Sequence, residues 1–157
     1  MSSFRPSVLI IEARFYSDLS DELAKGAISA LEEANADYHV IAVPGALEIP
    51  QALAFAVHAG LMPFGATRWR YHGAVALGCV IRGETSHYDI VANESAKALL
   101  SIATTSSIPV GNGILTVENE SQAWARASVT DGNKGADAAR ACLRLIDVFM
   151  ECHGFRS

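Results

Sequence analysis

The residues best suited to chemistry in this chain sit in one short turn, Gly83-Glu84-Thr85-Ser86-His87, reached through Arg82 from the apolar run Ala74 to Ile81. A run so nearly free of polar groups suits a strand of a parallel sheet covered on both faces. Gly83 lets the backbone turn, Thr85 and Ser86 are helix N-cap types, and Ile90, Val91, Ala92, Ser95, Ala98 and Leu99 keep roughly a helical period. The spacing therefore predicts a helix beginning near His87. A helix start leaves backbone N–H groups unpaired and carries partial positive charge, so the turn is ready to hold an anion such as phosphate. Beside it stands a histidine, the side-chain type whose unperturbed pKa of about 6.5 lets it give or take a proton at neutral pH. The same residues also suit an ordinary strand-to-helix turn with a solvent-facing histidine.

Holding such a turn in place requires a sheet, and the rest of the chain reads as one. Ser7 to Glu12 suits a first buried strand, followed by the loop Ala13-Arg14-Phe15-Tyr16. Ser17 or Asp18 is expected to cap a helix with the stripe Leu19, Leu23, Ala27, Leu31 and Ala34, ending near Asn35. Tyr38 to Val43 reads as a second strand closed by Pro44-Gly45, and Pro50 falls in the first turn of a helix reaching about Gly60. Leu61 to His72, with Pro63, Gly65 and Thr67, reads as a connection, and the helix after His87 should end near Ser106. Pro109 to Thr116 suits a fourth strand whose glycines imply close backbone approach to something. Ser121 to Arg126 suggests a short helix broken by Asp131-Gly132-Asn133. From Lys134 onward Ala139, Cys142, Leu143, Ile146, Phe149 and Met150 make the stripe of a C-terminal helix.

Strands alternating with helices, without repeats or low-complexity linkers, predict a three-layer α/β domain around a parallel sheet. In such sheets ligands sit at the carboxyl ends of the strands. The loops there carry Phe15, then Ala46-Leu47-Glu48, then Gly83 to His87, then Asn112 to Thr116, and all four are expected on one rim. An aromatic ring, a carboxylate, an anion-binding turn and a histidine suit a flat heterocycle with hydroxyls together with a phosphorylated partner. Ordinary readings stand beside each: Phe15 as core, Glu48 as a helix-start carboxylate favoured by the dipole, the glycines as turns.

With 157 residues the chain fits one domain, residues 1–157, able to bury about two thirds of its unfolded surface. Half of its residues are hydrophobic and only 18% are charged, an apolar balance that points to subunit interfaces beyond the core. A net charge of -5 argues against a nucleic-acid partner. The one basic and aromatic cluster, Arg68-Trp69-Arg70-Tyr71-His72, reads as a polar loop leading into a strand. Three widely spaced cysteines, Cys79, Cys142 and Cys152, include no Cys-x-x-Cys pair and fit a reducing cytoplasm. His39, His58, His72, His87 and His153 show no metal-ligand spacing. Neither a signal peptide at Met1 to Pro6 nor a membrane-length apolar run is present, so no membrane partner is expected.

Six stretches in order, Arg14-Phe15, Gly26-Ala27, Val43 to Pro50, Ala76 to His87, Gly113 to Thr116 and Asn133 to Ala136, resemble the lumazine synthases of riboflavin biosynthesis over nearly the whole chain. The resemblance implies a flavodoxin-like domain with a central parallel four-stranded sheet and helices on both faces. It implies a transferase joining 5-amino-6-(D-ribitylamino)uracil to 3,4-dihydroxy-2-butanone 4-phosphate, releasing phosphate and water, with no cofactor and no metal.

By this resemblance Phe15 would stack on the pyrimidine, Ala46, Leu47 and Glu48 would hold the ribityl chain, and the backbone of Cys79, Val80 and Ile81 would meet the ring edge. Glu84 and Thr85 would bind phosphate through the turn's backbone N–H groups, the Glu84 side chain pointing away. Arg126 would neutralise it, Lys134 helping, and His87 would shuttle protons. The family's sites lie between subunits of a homopentamer, so Asn112, Arg126 and Lys134 would come from a neighbour. One departure stands out: the family usually has an aromatic residue where this chain has Asn112, which leaves one face of the heterocycle without a stacking partner. In the family the N-terminal segment adds a strand to the adjacent subunit's sheet, and Pro6 limits how much of it pairs. The stretch Ala127 to Gly132 lacks the glycine-lysine turn of shell-forming members, which favours free pentamers. Two rivals remain at this point, a low-activity or inactive paralogue that is a flavin- or lumazine-binding or purely structural protein, and a flavodoxin-like electron carrier. The loop Ala13 to Tyr16 lacks the glycine or threonine that the carrier's phosphate loop needs.

Overall fold

Four runs rich in Val, Ile, Leu and Ala form a parallel sheet: β1 (Ser7–Ala13), β2 (Asp37–Val43), β3 (Gly73–Ile81) and β4 (Val110–Val117). The computed structural model of the chain describes residues 4–62 and 70–154. Pro63, Gly65, Thr67, Arg68 and Trp69 of the expected connection lie outside the described residues, as do Met1 to Ser3. The sheet order is β2-β1-β3-β4. The chain thus steps one way from β1 to β2, returns across β1 to β3, and puts a switch point between β1 and β3.

Side chains alternate across the two central strands, and each face is covered. Val8 and Ile10 of β1 and Val75 and Leu77 of β3 pack with α1 (Ser17–Glu33), α4 (Glu120–Ala127) and α5 (Lys134–Cys152). Leu9, Ile11, Ala74 and Ala76 face the other way, onto α2 (Glu48–His58) and α3 (His87–Thr105). Leu9, Ile10, Ile11 and Leu77 are 0–1% exposed, and burying each side chain is worth about 1.5–3 kcal/mol. This is the three-layer, flavodoxin-like arrangement expected from the sequence. The edge strand β2 is mostly exposed, with Tyr38 and Ile41 open to solvent.

Helix α1 starts one residue earlier than capping by Ser17 or Asp18 would allow. Tyr16 is the N-cap and offers no side-chain cap, so Ser17 and Asp18 are already inside the first turn. Ser20 helps to close the start instead, its Oγ donating to the Ala13 carbonyl at 2.7 Å and to the Tyr16 carbonyl at 3.0 Å. Glycines let α5 come close to its neighbours. A Cβ on Gly135 would run into the Leu23 carbonyl of α1, and one on Gly111 into the Ala138 carbonyl. The close approach that the β4 glycines imply is therefore made to α5.

Candidate active site

At the switch point β3 outruns its neighbour. The β1 to β3 register pairs end at Glu12 with Leu77, while on the other side Cys79, Val80 and Ile81 stay paired with Leu115, Thr116 and Val117. Beyond Leu77 the backbone of β3 therefore has no β1 partner on its inner side, where Cys79, Val80 and Ile81 line a cleft. That cleft is about 500 Å³, within the range of small-molecule sites. Its walls come from three loops at strand carboxyl ends: Phe15 and Tyr16 after β1, Pro44 to Glu48 after β2, and Gly83, Thr85 and His87 after β3.

Each wall has a local cause. Phe15 follows the end of β1 and is 74% exposed, too open for a core residue. The turn before α2 is closed by backbone bonds from Glu48 N–H to the Gly45 carbonyl (3.1 Å) and from Ile49 N–H to the Ala46 carbonyl (3.2 Å). Those bonds leave Glu48 as the first residue of α2, half-buried in the cleft wall. Ala46, Val80 and Val91 form a small buried cluster below it. Helix α3 begins at His87 as expected, yet Ser86 caps it without a side-chain hydrogen bond, and Thr85 Oγ1 instead accepts the His87 N–H at 3.3 Å. His87 is exposed on the cleft wall. Burial pushes the Cys79 thiol up to about 11, so it is a neutral wall group and no nucleophile at pH 7.

Of the residues chosen from the sequence, Phe15, Ala46, Leu47, Glu48, Cys79, Val80, Ile81, Thr85 and His87 meet at this cleft. Glu84 belongs to the same turn but is not part of the lining, in keeping with a side chain turned outward. The fourth stretch departs from the common rim. Asn112 to Thr116 lies within β4, where Asn112 pairs with Ala76, and it lines a second cavity of about 440 Å³ with Arg126 and Lys134. Asn112 is the third residue of β4, nearer its amino end, and so lies away from the carboxyl-end rim. In that second cavity Asn112 Oδ1 accepts the Ile114 N–H at 2.9 Å, Arg126 donates to the Gln122 carbonyl at 3.1 Å, and Lys134 lies 3.3 Å from Asp137.

Sequence reasoning missed Tyr16, Tyr88 and Val91 as cleft residues. Helix spacing carried a usable signal for Val91, which stands four residues after His87 and so lies on its face. Tyr88 packs under Arg82, whose guanidinium carbon is 4.2 Å from the ring centroid while its Nε bonds Glu118 at 2.8 Å. Arg82 is thus tied back to the protein. Among the described residues no group of three or more His, Cys, Asp or Glu side chains could gather a metal ion, and no helix is long and apolar enough to cross a membrane.

A parallel sheet in the order 2-1-3-4 with a ligand-sized cleft at its switch point defines a flavodoxin-like α/β domain. The chain belongs to the 6,7-dimethyl-8-ribityllumazine synthase family, whose profile matches residues 5–150. It is 57% identical over 150 residues to the 6,7-dimethyl-8-ribityllumazine synthase of Agrobacterium fabrum, covering 96% of this chain and 99% of that one. It is also 55% identical to the 6,7-dimethyl-8-ribityllumazine synthase 1 of Rhizobium meliloti, over 94% of this chain and 95% of that one. The enzyme of that name from Bartonella tribocorum is 56% identical, over 90% of this chain and 89% of that one.

Proposed function

We propose that this chain is a transferase of riboflavin biosynthesis that condenses 5-amino-6-(D-ribitylamino)uracil with 3,4-dihydroxy-2-butanone 4-phosphate to 6,7-dimethyl-8-ribityllumazine, releasing phosphate and water. The observation that carries this reading is the cleft at the switch point, where an exposed ring, a carboxylate, a bare strand edge and a histidine meet in a chain of this family. Phe15 stacks on the pyrimidine, and the Gly78 to Ile81 edge supplies the backbone donors and acceptors that a uracil ring matches. Glu48 accepts hydrogen bonds from the ribityl hydroxyls beside Ala46 and Leu47. The phosphate lies over Gly83 to Thr85 at the start of α3, where a Cβ on Gly83 would meet nothing within 4 Å and an oxygen can approach bare backbone. His87 moves protons as the amine condenses, phosphate leaves and the ring closes.

Among the described residues no lysine or arginine lines this cleft, whereas Arg126 and Lys134 line the other cavity. A phosphate site wants a cation, and a neighbouring subunit presenting Asn112, Arg126 and Lys134 supplies it, so the site is shared in a homopentamer. Exposed Phe55 (70%), Ile90 (53%) and Leu100 (66%) on α2 and α3 are apolar surface of the kind subunit contacts cover. Three free thiols, Cys79, Cys142 and Cys152, suit a cytoplasmic enzyme. Phosphate release measured with both substrates tests the reaction. Release that depends on the presence of both supports it, and release from neither or from the phosphorylated substrate alone sinks it.

A further inference from the structure

An exposed phenylalanine on a loop is a poor stacking platform unless something fixes the loop, and the residue before it is fixed at four points. The Arg14 N–H donates to the Val43 carbonyl at 3.0 Å. Its guanidinium Nη1 donates to Glu12 Oε1 at 2.9 Å, and Nη2 donates to Asp21 Oδ1 at 2.7 Å and to the Ser17 carbonyl at 3.3 Å. Glu12 is the last register partner of β3 on β1, while Ser17 and Asp21 belong to the first turns of α1. One planar fork therefore spans the loop that carries Phe15 and Tyr16 and ties its two ends together. Glu12 is only 7% exposed, and a buried carboxylate persists only when it is paired. Phe15 itself touches one ring, Tyr16, edge-on at 4.9 Å between centroids.

We infer that Arg14 is a positioning residue whose fork on Glu12, Ser17 and Asp21 holds the Phe15 ring at the mouth of the cleft, ready to stack. Its role in binding rests on the function proposed above; its hold on the loop does not. Lysine cannot replace it, since a point charge on a flexible stem does not engage three separate acceptors in fixed geometry.

The test uses Arg14→Met, Arg14→Lys and Asp21→Asn, the last on an exposed carboxylate whose loss the fold tolerates, each made with Phe15 and with Phe15→Leu. Two readouts are the hydrogen exchange of the amide at position 14 and the dissociation constant of 6,7-dimethyl-8-ribityllumazine; the affinity for inorganic phosphate is a third. With Phe15 present, Arg14→Met should speed exchange about tenfold and weaken lumazine about two- to twelvefold, the range set by one stacked ring. With Phe15→Leu the same change should weaken lumazine by less than about twofold, because the ring it positions is gone. Phosphate affinity should not move. Asp21→Asn should act in the same direction and less, and Arg14→Lys should recover only part of the loss. Unchanged exchange at position 14, equal losses in both backgrounds, or full recovery by lysine overturns the inference. If exchange quickens but Phe15→Leu alone leaves lumazine affinity intact, the placement of the ligand against Phe15 is what fails, and the binding role of Arg14 falls with it.

Discussion

At the residue scale, the division of labour between His87 and the residues around Phe15 makes separable predictions. An acid or base acts chiefly in the transition state, so His87→Ala should lower kcat about a hundred- to ten-thousandfold with little change in KM. Steady-state kinetics on both substrates check this, and a rise in KM alone would assign His87 to binding. Its exposed position suits the role, because a proton shuttle must exchange protons with water. The proposed reading sets a neighbour's Asn112 against the opposite face of the heterocycle. If a neighbour's residue 112 meets that face, Asn112→Phe should tighten lumazine by about 0.5–1.5 kcal/mol, a stacked pair's worth. Fluorescence titration measures it, and unchanged or weaker binding would mean that residue 112 looks elsewhere. Asn112 now spends its side-chain oxygen on the Ile114 N–H at 2.9 Å, so phenylalanine also leaves one edge-strand donor to water. The net gain belongs at the lower end of that range.

At the element scale, β1 and β3 are joined by more than their ladder. The half-buried His72 just before β3 donates its N–H to the Ser7 carbonyl at 2.7 Å, while its Nδ1 accepts the Ser7 N–H at 2.9 Å. Burial pushes the imidazole below its ordinary value, and an Nδ1 that accepts a hydrogen bond must be unprotonated. With a folded pKa below the unfolded value of about 6.5, the stability from neutral His72 is fully present above pH 6.5 and is lost as the pH falls and the unfolded chain takes up the proton first. His72→Asn keeps an acceptor where Nδ1 stood and cannot titrate. Its melting temperature should therefore fall less than the parent's between pH 7 and pH 5, and parallel curves would exclude His72 as a contributor. Elements were legible because period and burial agree: the apolar run at Ala74 to Ile81 and the stripes of α1 and α5 leave little choice. That Phe15, Glu48 and His87 meet at one cleft was legible too, since each falls just past a strand end. The capping of α1 was misplaced because Ser17 and Asp18 are both good cap types, and tertiary contacts through Ser20 and Arg14 chose the start. The place of Asn112 was legible only in part. The run Pro109 to Thr116 put it inside a strand, but grouping it with the carboxyl-end loops did not fit, because the register with Ala76 makes it the third residue of β4.

At the scale of the whole molecule, the chain carries two separate cavities of different composition. Among the described residues the cleft has ring, carboxylate and histidine but no lysine or arginine, and the β4 cavity has Arg126, Lys134 and Asp137 but no histidine. If each cleft is completed by a neighbour's β4 cavity, Arg126→Ser should weaken capture of the phosphorylated substrate by about 1.5–3 kcal/mol, the worth of a charged hydrogen bond. Binding of the ribityl substrate alone should change little. The stronger test is a mixture. In a ring where every site takes His87 from one subunit and Arg126 from the next, chains carrying His87→Ala and chains carrying Arg126→Ser create some sites with both defects and others with neither. A site is intact whenever an Arg126→Ser chain supplies the histidine and a His87→Ala chain supplies the arginine, about a quarter of all sites in a random equal mixture of a cyclic assembly. Unfolding the two near-inactive variants together and refolding them should restore phosphate release toward that fraction, while either refolded alone stays near its own low rate. Hybrid rings verified by mass spectrometry that remain as inactive as their components would place both residues in the same subunit's site. The neighbour's role would then be lost, and Arg126 would have to serve the phosphate within its own subunit.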